Sequence, residues 1–444
     1  MSLRVSVITF GCRVNQADSC RFEEELRSRG ATVASPEEAD LVVVNTCSVT
    51  ASADQGSRQV IRRIARRNPA AKIVVTGCYA TRKPEEVRAL PGVVRLFRND
   101  EKDRLVPVVV EEVARTTAQR FDAGNGPCGD VLQPGVLGRT AYPLRIQTGC
   151  DEPCSYCIIP TTRGAPRSLP PDRVRADVER LLRGGFKEII LTGVHLGSYG
   201  RDLTPPLSLS GLLRELGSID RDVLFRISSL EPMDCTDEIV DLVASTSALA
   251  PHFHLPLQHA SDRILSLMRR PYTLAFYRRL VDRIRALMPH ASIGSDVIVG
   301  FPGETHEDFE LLRDYLEDSP LTHVHVFPYS DRPGTVASTL GGKVGGIEIR
   351  GRSAVLRAIG QQLTTRFRTS QVGSIRPGLT IDDGSVAVTD NYLKLRIGHG
   401  HVRNERVMVR VLTDSDPMVG DAIGAPSEGG SRLAAPHHLS IAGV

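Results

Sequence analysis

Gly149-Cys150-Asp151-Glu152-Pro153-Cys154-Ser155-Tyr156-Cys157 is a C-x3-C-x2-C triplet, fed by a β-type run, Leu144-Arg145-Ile146-Gln147, and followed by Arg163-Gly164. Thiolates this close converge on one centre. Structural zinc takes four ligands and closes its shell, whereas a catalytic metal keeps one position open. Iron–sulfur clusters are usually held by four cysteines. A three-cysteine knot therefore leaves one iron of a cluster free to bind something else. The alternative is a zinc knuckle with a remote fourth ligand, which the ligand count and the strand-then-loop setting disfavour.

Upstream, three β-type runs each end in a cysteine: Val5 to Gly11 leads to Cys12, Leu41 to Thr46 to Cys47, and Lys72 to Gly77 to Cys78. Helical segments, Asp18 to Arg29 and Ala53 to Arg67, lie between them. Strands alternating with helices imply a parallel sheet, and continuous Val/Ile runs suit strands covered on both faces. Parallel strands carry Cys12, Cys47 and Cys78 to one carboxyl edge, where such folds bind ligands. One cysteine there reads as a small buried hydrophobe; three read as a shared metal centre, again lacking a fourth thiolate. Cys20 and Cys235 read as packing residues and Cys128 as incidental. Arg58, Arg62, Arg63, Arg66 and Arg67 form either a solvated helix face or a phosphate-contacting stripe.

After the triplet, strands and helices keep alternating: Glu188 to Gly193, Leu224 to Ser229, His252 to Gln258, Ser292 to Val299 and His323 to Pro328 are the β-runs. With the strand before Cys150 they make six β/α units, short of the eight of a closed barrel, and imply an open partial barrel. Barrel sites form at strand carboxyl ends, which places Cys150, Thr192, Ser229, Gln258, Asp296, Gly300 and Phe327 at the site. His252 and His254 alternate along one strand and face one side; a satisfied structural role is the favoured reading. Beyond a long helix, Ile347 to Phe367, short runs separated by Gly, Asp and Asn turns suggest a small antiparallel barrel, a type that often grips nucleic acid. Its opening run, Leu379-Thr380-Ile381, is short.

The expected organisation is an α/β cluster domain over residues 1–115, a linker over 116–138, a partial (β/α)6 barrel over 139–371, a β-barrel over 372–426 and a flexible tail over 427–444. Net charge is only +3, so any basic surface must be local. The first ten residues are too β-like for a signal segment and no apolar run approaches a membrane span. A cytoplasmic protein in a reducing compartment, with no membrane partner, is expected, and its nine cysteines read as ligands more than disulfides.

The chain resembles the methylthiotransferase branch of the radical S-adenosylmethionine (SAM) enzymes. The resemblance rests on the two cysteine sets in order and on flanking text: Gly11-Cys12-Arg13-Val14-Asn15-Gln16, Asn45-Thr46-Cys47, Thr76-Gly77-Cys78-Tyr79-Ala80, Cys157-Ile158-Ile159-Pro160, Val299 to Glu304, and Phe327-Pro328-Tyr329-Ser330. It implies two [4Fe-4S] clusters, on Cys150/Cys154/Cys157 and on Cys12/Cys47/Cys78. The first would cleave SAM to a hydrogen-abstracting 5′-deoxyadenosyl radical, the second would deliver sulfur, and a second SAM would supply methyl. SAM contacts are expected from Tyr156, Thr192, Gly193, Ser229, Gln258, Asp296, Ile298, Gly300 and Phe327. The Gly-Cys-Arg-Val-Asn-Gln and Gly-Cys-Tyr-Ala text is most similar to the type that modifies C2 of N6-threonylcarbamoyladenosine in the tRNA anticodon loop. Leu257 to Asp262 also looks like the type acting on a ribosomal-protein aspartate, and a third type acts on isopentenyladenosine in tRNA. The tail resembles the family's RNA-gripping TRAM barrel. A non-catalytic iron–sulfur protein that binds RNA or senses redox state is the reading from another class.

Overall fold

The computed structural model describes residues 3–116, 133–135, 139–219 and 221–423; most of the linker, Cys128 and the 427–444 tail lie outside them. The first block comprises β1 (Arg4–Thr9), α1 (Arg13–Ser28), β2 (Thr32–Val33), β3 (Leu41–Thr46), α2 (Ala51–Arg67), β4 (Lys72–Gly77), α3 (Cys78–Arg82), α4 (Pro84–Arg88), β5 (Val93–Leu96) and α5 (Leu105–Thr116). The strands form one parallel sheet ordered β2-β1-β3-β4-β5. Every residue of β3 is buried, which is why it reads as an unbroken apolar run. Register sets Thr9 beside Asn45 and Asn45 beside Thr76, so the segments after β1, β3 and β4 leave at one edge. Helix α1 starts at Arg13, ahead of the expected Asp18. Asn15 breaks its apolar pattern because it is buried to donate to the Phe10 and Thr46 carbonyls, at 2.8 and 3.0 Å.

The second block runs β6 (Tyr142–Arg145), β7 (Gln147–Thr148), α6 (Ile159–Arg163), β8 (Arg167–Ser168), α7 (Pro171–Arg183), β9 (Glu188–Thr192), α8 (Leu209–Gly217), β10 (Leu224–Ile227), α9 (Asp237–Ser245), β11 (His252–His254), α10 (Asp262–Leu267), α11 (Leu274–Leu287), β12 (Ser292–Val299), α12 (His306–Asp318), β13 (His323–Pro328) and α13 (Gly346–Gln371). Strands β6, β9 and β10 make one parallel sheet and β11, β12 and β13 another. Single parallel pairings, Phe225 with Leu249 and Ser229 with His254, join them into an open six-stranded barrel. Strand β11 stops at His254 rather than Gln258: Pro256 has no N–H to donate and Gln258 takes φ 66°. The apolar faces of the outer helices close on the strands in one core that also buries Cys20 and Cys235.

The third block is a closed barrel, β14 (Ile375–Ile381), β15 (Val386–Thr389), β16 (Lys394–Arg396), β17 (Arg406–Val411) and β18 (Met418–Ile423), in the order β14-β15-β16-β18-β17. Its opening strand is not short. Pro377 and Gly378 interrupt the β pattern in sequence, but pairing of Ile375 to Leu379 with β17 carries the strand through them. Arg226 on β10, wholly buried, pairs with Glu188 at 2.9 Å and donates to the Asp390 carbonyl at 2.8 Å, pinning the β15–β16 turn to the larger barrel. No helix among the described residues is long and apolar enough to cross a membrane.

Candidate active site

Cys12, Cys47 and Cys78 lie at the carboxyl edge of the first sheet, Cys12 exposed and the other two buried. Gly11 sits at φ +88°, and a Cβ there would lie 2.6 Å from the Cys47 Sγ, so only glycine admits this approach of the two chains. Burial pushes the Cys47 thiol up to about 12, with Cys12 and Cys78 adding to the shift, as three neighbouring sulfurs would. Burial opposes ionisation of Cys78 too, but Arg163 and Lys102 outweigh it and hold this thiol below its ordinary value. Asn99 donates to Cys78 Sγ at 3.6 Å and to the Thr162 carbonyl at 2.8 Å. Behind the cysteines Asp18 is fully buried against Lys102, at 2.6 Å, and Arg145. Burial resists its charge, yet Arg145, Lys102 and Arg163 keep it well below the usual carboxylate range.

Gly149 turns the chain into the other set at φ +78°; a Cβ there would meet the Ala165 carbonyl oxygen at 1.9 Å. The Cys157 N–H donates to the Cys154 carbonyl at 3.2 Å and the Ile159 N–H to Cys157 Sγ at 3.4 Å. Arg270 donates to Cys154 Sγ at 3.1 Å while its other terminal nitrogen is held by Glu231. His195 stands beside Cys150, with Nε2 2.7 Å from Asp234, which also takes Arg201 at 2.6 Å. Burial would lower the His195 pKa, but Asp234 and Cys150 raise it to about 10. Directly after the triplet, α6 carries Thr162 to Asn99 and Arg163 to Asn15, at 2.6 Å, tying the two cysteine sets together.

A cavity of about 990 Å³ lies where the first block, the partial barrel and the C-terminal barrel meet; Cys12 is the one cysteine on its wall, and Cys150, Cys154 and Cys157 are not on it. Its wall includes Cys12 and Arg13 from the first block, Thr192, Gly193, Ser229, His254, Asp296, His325 and Phe327 from the partial barrel, and Tyr392 and Lys394 from the C-terminal barrel. Gln258, Ile298, Gly300 and Tyr156 are not on that wall. Gln258 pairs by backbone with Asp296 and Ile298, the Gly300 N–H donates to Glu304 at 2.7 Å, and Tyr156 and Ile298 pack on Ile264, Met268 and Phe301. His254 and His325 both bond Asp296 Oδ1, at 3.1 and 3.0 Å. Burial resists the Asp296 charge and the two imidazoles overcome it, leaving an ionised carboxylate in the cavity. His252 and His254 both lie on the cavity wall; His254 is satisfied by Asp296, while Nδ1 of the buried His252 has no hydrogen-bond partner among the described residues. His195, Asp234, Arg270, Asn99 and Lys102 carried no sequence signal, being isolated polar residues; Arg163 was marked only by its position after the triplet.

Each set offers three thiols, with a guanidinium or amide donor aimed at sulfur. That donor chemistry fits iron–sulfur ligation, in which hydrogen bonds to sulfur and nearby charge tune the cluster. The uncharacterized protein family UPF0004 matches residues 4–98 and the radical SAM superfamily residues 144–316. The threonylcarbamoyladenosine tRNA methylthiotransferase MtaB of Aquifex aeolicus is 36% identical, over 92% of this chain and 100% of that protein. The ribosomal protein uS12 methylthiotransferase RimO of Salinispora tropica is 34% identical, over 84% of this chain and 82% of that one. The structure of the radical SAM methyltransferase TsrM from Kitasatospora setae, solved with cobalamin and a [4Fe-4S] cluster, shares the fold with a TM-score of 0.53 at 18% identity, covering 76% of this chain and 77% of that one. With two cysteine sets, a parallel partial barrel and relatives alike over most of their length, the chain belongs to the radical SAM methylthiotransferases, enzymes that work with SAM and [4Fe-4S].

Proposed function

We propose that this enzyme methylthiolates C2 of N6-threonylcarbamoyladenosine in the anticodon loop of tRNA, in the cytoplasm. The observation that carries the reading is the cavity beside Cys12: Cys12 lines the same volume as Thr192, Gly193 and Ser229 at strand carboxyl ends and Asp296 within β12. At about 990 Å³ it has room for a modified nucleoside beside a cofactor. The likeness to the Aquifex aeolicus enzyme supports the choice of nucleoside.

Cys150, Cys154 and Cys157 would hold one cluster and Cys12, Cys47 and Cys78 another, which when bound supply reductive cleavage of SAM and sulfur. The chain's own part is positioning and charge. Arg270 and the Ile159 N–H donate to sulfur in one set, and Asn99 donates to sulfur in the other. Asp296, held ionised by two imidazoles, is an acceptor for a hydroxyl or N–H of what fills the cavity. On α2, Arg62, Arg63 and Arg66 are exposed and suit RNA phosphate, whereas Arg58 is committed to Tyr79 and Glu86 and the exposed Arg67 pairs with Glu37 at 3.2 Å.

Mass spectrometry of tRNA nucleosides from cells with and without the gene tests the reading. The 2-methylthio form should vanish and the unthiolated nucleoside accumulate. Unchanged tRNA would transfer the activity to a ribosomal-protein aspartate, the reading that Leu257 to Asp262 and the RimO likeness favour. In vitro, Cys150→Ala should abolish SAM cleavage, and Cys78→Ala should keep some cleavage without methylthio product. Full product from Cys78→Ala would sink the two-cluster assignment.

A further inference from the structure

Arg13 follows Cys12 directly and lies on the cavity wall. Its Nη2 donates to the Tyr392 hydroxyl at 3.1 Å, and the guanidinium carbon sits 5.6 Å from the centre of that ring. Tyr392 is itself fixed, with Arg226 4.8 Å from its ring centre and the His252 ring at 4.9 Å. Among the described residues the buried Nη1 of Arg13 has no hydrogen-bond partner, and no carboxylate forms an ion pair with this side chain. Of the other charges on the wall, Asp296 is answered by His254 and His325, Lys394 by Asp382 at 3.8 Å and Arg368 by Asp416 at 3.4 Å, while Arg396 is exposed to solvent. A half-buried guanidinium without an anion is costly, and this one is held in place by Tyr392 at the edge of a cavity large enough for a ligand.

We propose that Arg13 reads the substrate's N6 substituent: its guanidinium takes the carboxylate of the threonylcarbamoyl group, so the site prefers that nucleoside to one with a neutral, apolar substituent. The inference rests on the tRNA reading above and names the residue behind its choice of nucleoside. An isopentenyl group offers Arg13 no acceptor and would leave it unpaired, and a site built around a buried polar group rejects a ligand that fails to satisfy it.

The test gives the reconstituted holoenzyme anticodon stem-loop RNA carrying threonylcarbamoyladenosine or its methyl ester, with kcat and KM for methylthio product read by mass spectrometry. The ester should have a KM about 10- to 100-fold higher, the range of one charge-assisted hydrogen bond. Arg13→Gln should raise KM for the acid by a similar factor and barely move that for the ester, so the two converge, while Arg13→Lys should recover part of the preference. Both RNAs are compared on one preparation, so incomplete cluster loading cancels from the ratio. A wild-type enzyme that treats acid and ester alike overturns the inference and leaves the tRNA reading standing, as does an Arg13→Gln enzyme that keeps the full ratio. Product from neither RNA would remove the tRNA reading, and this inference with it.

Discussion

At Gly11 a single methyl group would collide with Cys47, one of the three thiols proposed to hold a cluster. The Cβ of Gly11→Ala would sit 2.6 Å from both Cβ and Sγ of Cys47, in a φ region that L residues avoid. Iron and sulfide in the reconstituted variant should fall by about half while SAM cleavage persists; undiminished iron would show that the loop can yield. Glu23 offers a residue-scale test of a different kind. It is buried 4.0 Å from Arg139, and its Oε2 has no hydrogen-bond partner among the described residues. Burial raises its pKa from 4.5 to about 7, against the pull of Arg139. The unfolded chain loses that proton first, so the fold loses stability as pH climbs from about 4.5 through 7. Glu23→Gln should leave Tm unchanged near pH 4 and raise it at pH 8, by the equivalent of up to about 3 kcal/mol. An equal shift at both values would mean that ionisation is not the cause.

Helix α6 links the two cysteine sets, and Arg163 at its end is the charge that does so. Replacing it with Met removes a cation beside Cys78 and should make the cluster potential there more negative, since nearby positive charge favours the reduced state. An EPR-monitored redox titration checks this; the potential at Cys150, Cys154 and Cys157 should stay put, and no movement at either set would leave Arg163 a packing role only. Elements of this kind divide what could be read from the sequence from what could not. Strands ending in Cys12, Cys47 and Cys78 were legible because parallel pairing alone sends their ends to one edge. The six barrel strands were legible from their alternation with helices. Helix α6 and strand β18 were not: the first is a single turn whose meaning lies in Asn15 and Asn99, far away in sequence, and Gly420 and Asp421 break the β pattern of the second. The His254–Asp296–His325 group was half legible, since strand ends gave Asp296 but only register brings His325 beside it.

Across the whole molecule, the three blocks are held as one by buried charge. Arg226→Met would strand Glu188 without its cation and release the Asp390 carbonyl, costing about 3–5 kcal/mol. Limited proteolysis should then cut between α13 and β14 and release the C-terminal barrel, while the parent chain should stay intact; adding Glu188→Gln should restore part of that resistance. A variant that stays uncut would show that the barrel is anchored elsewhere. The burial of Cys47 and Cys78, with Cys12 alone exposed on the cavity wall, has a consequence for the life of the enzyme in the cell. On the cluster and RNA assignments proposed above, a scaffold protein handing over iron and sulfide would meet Cys12 in the cavity that the RNA also fills. Maturation and turnover would then compete for one doorway: RNA seated on the unfinished protein would bar its completion, and damage to Cys12 could be mended only after the product has gone.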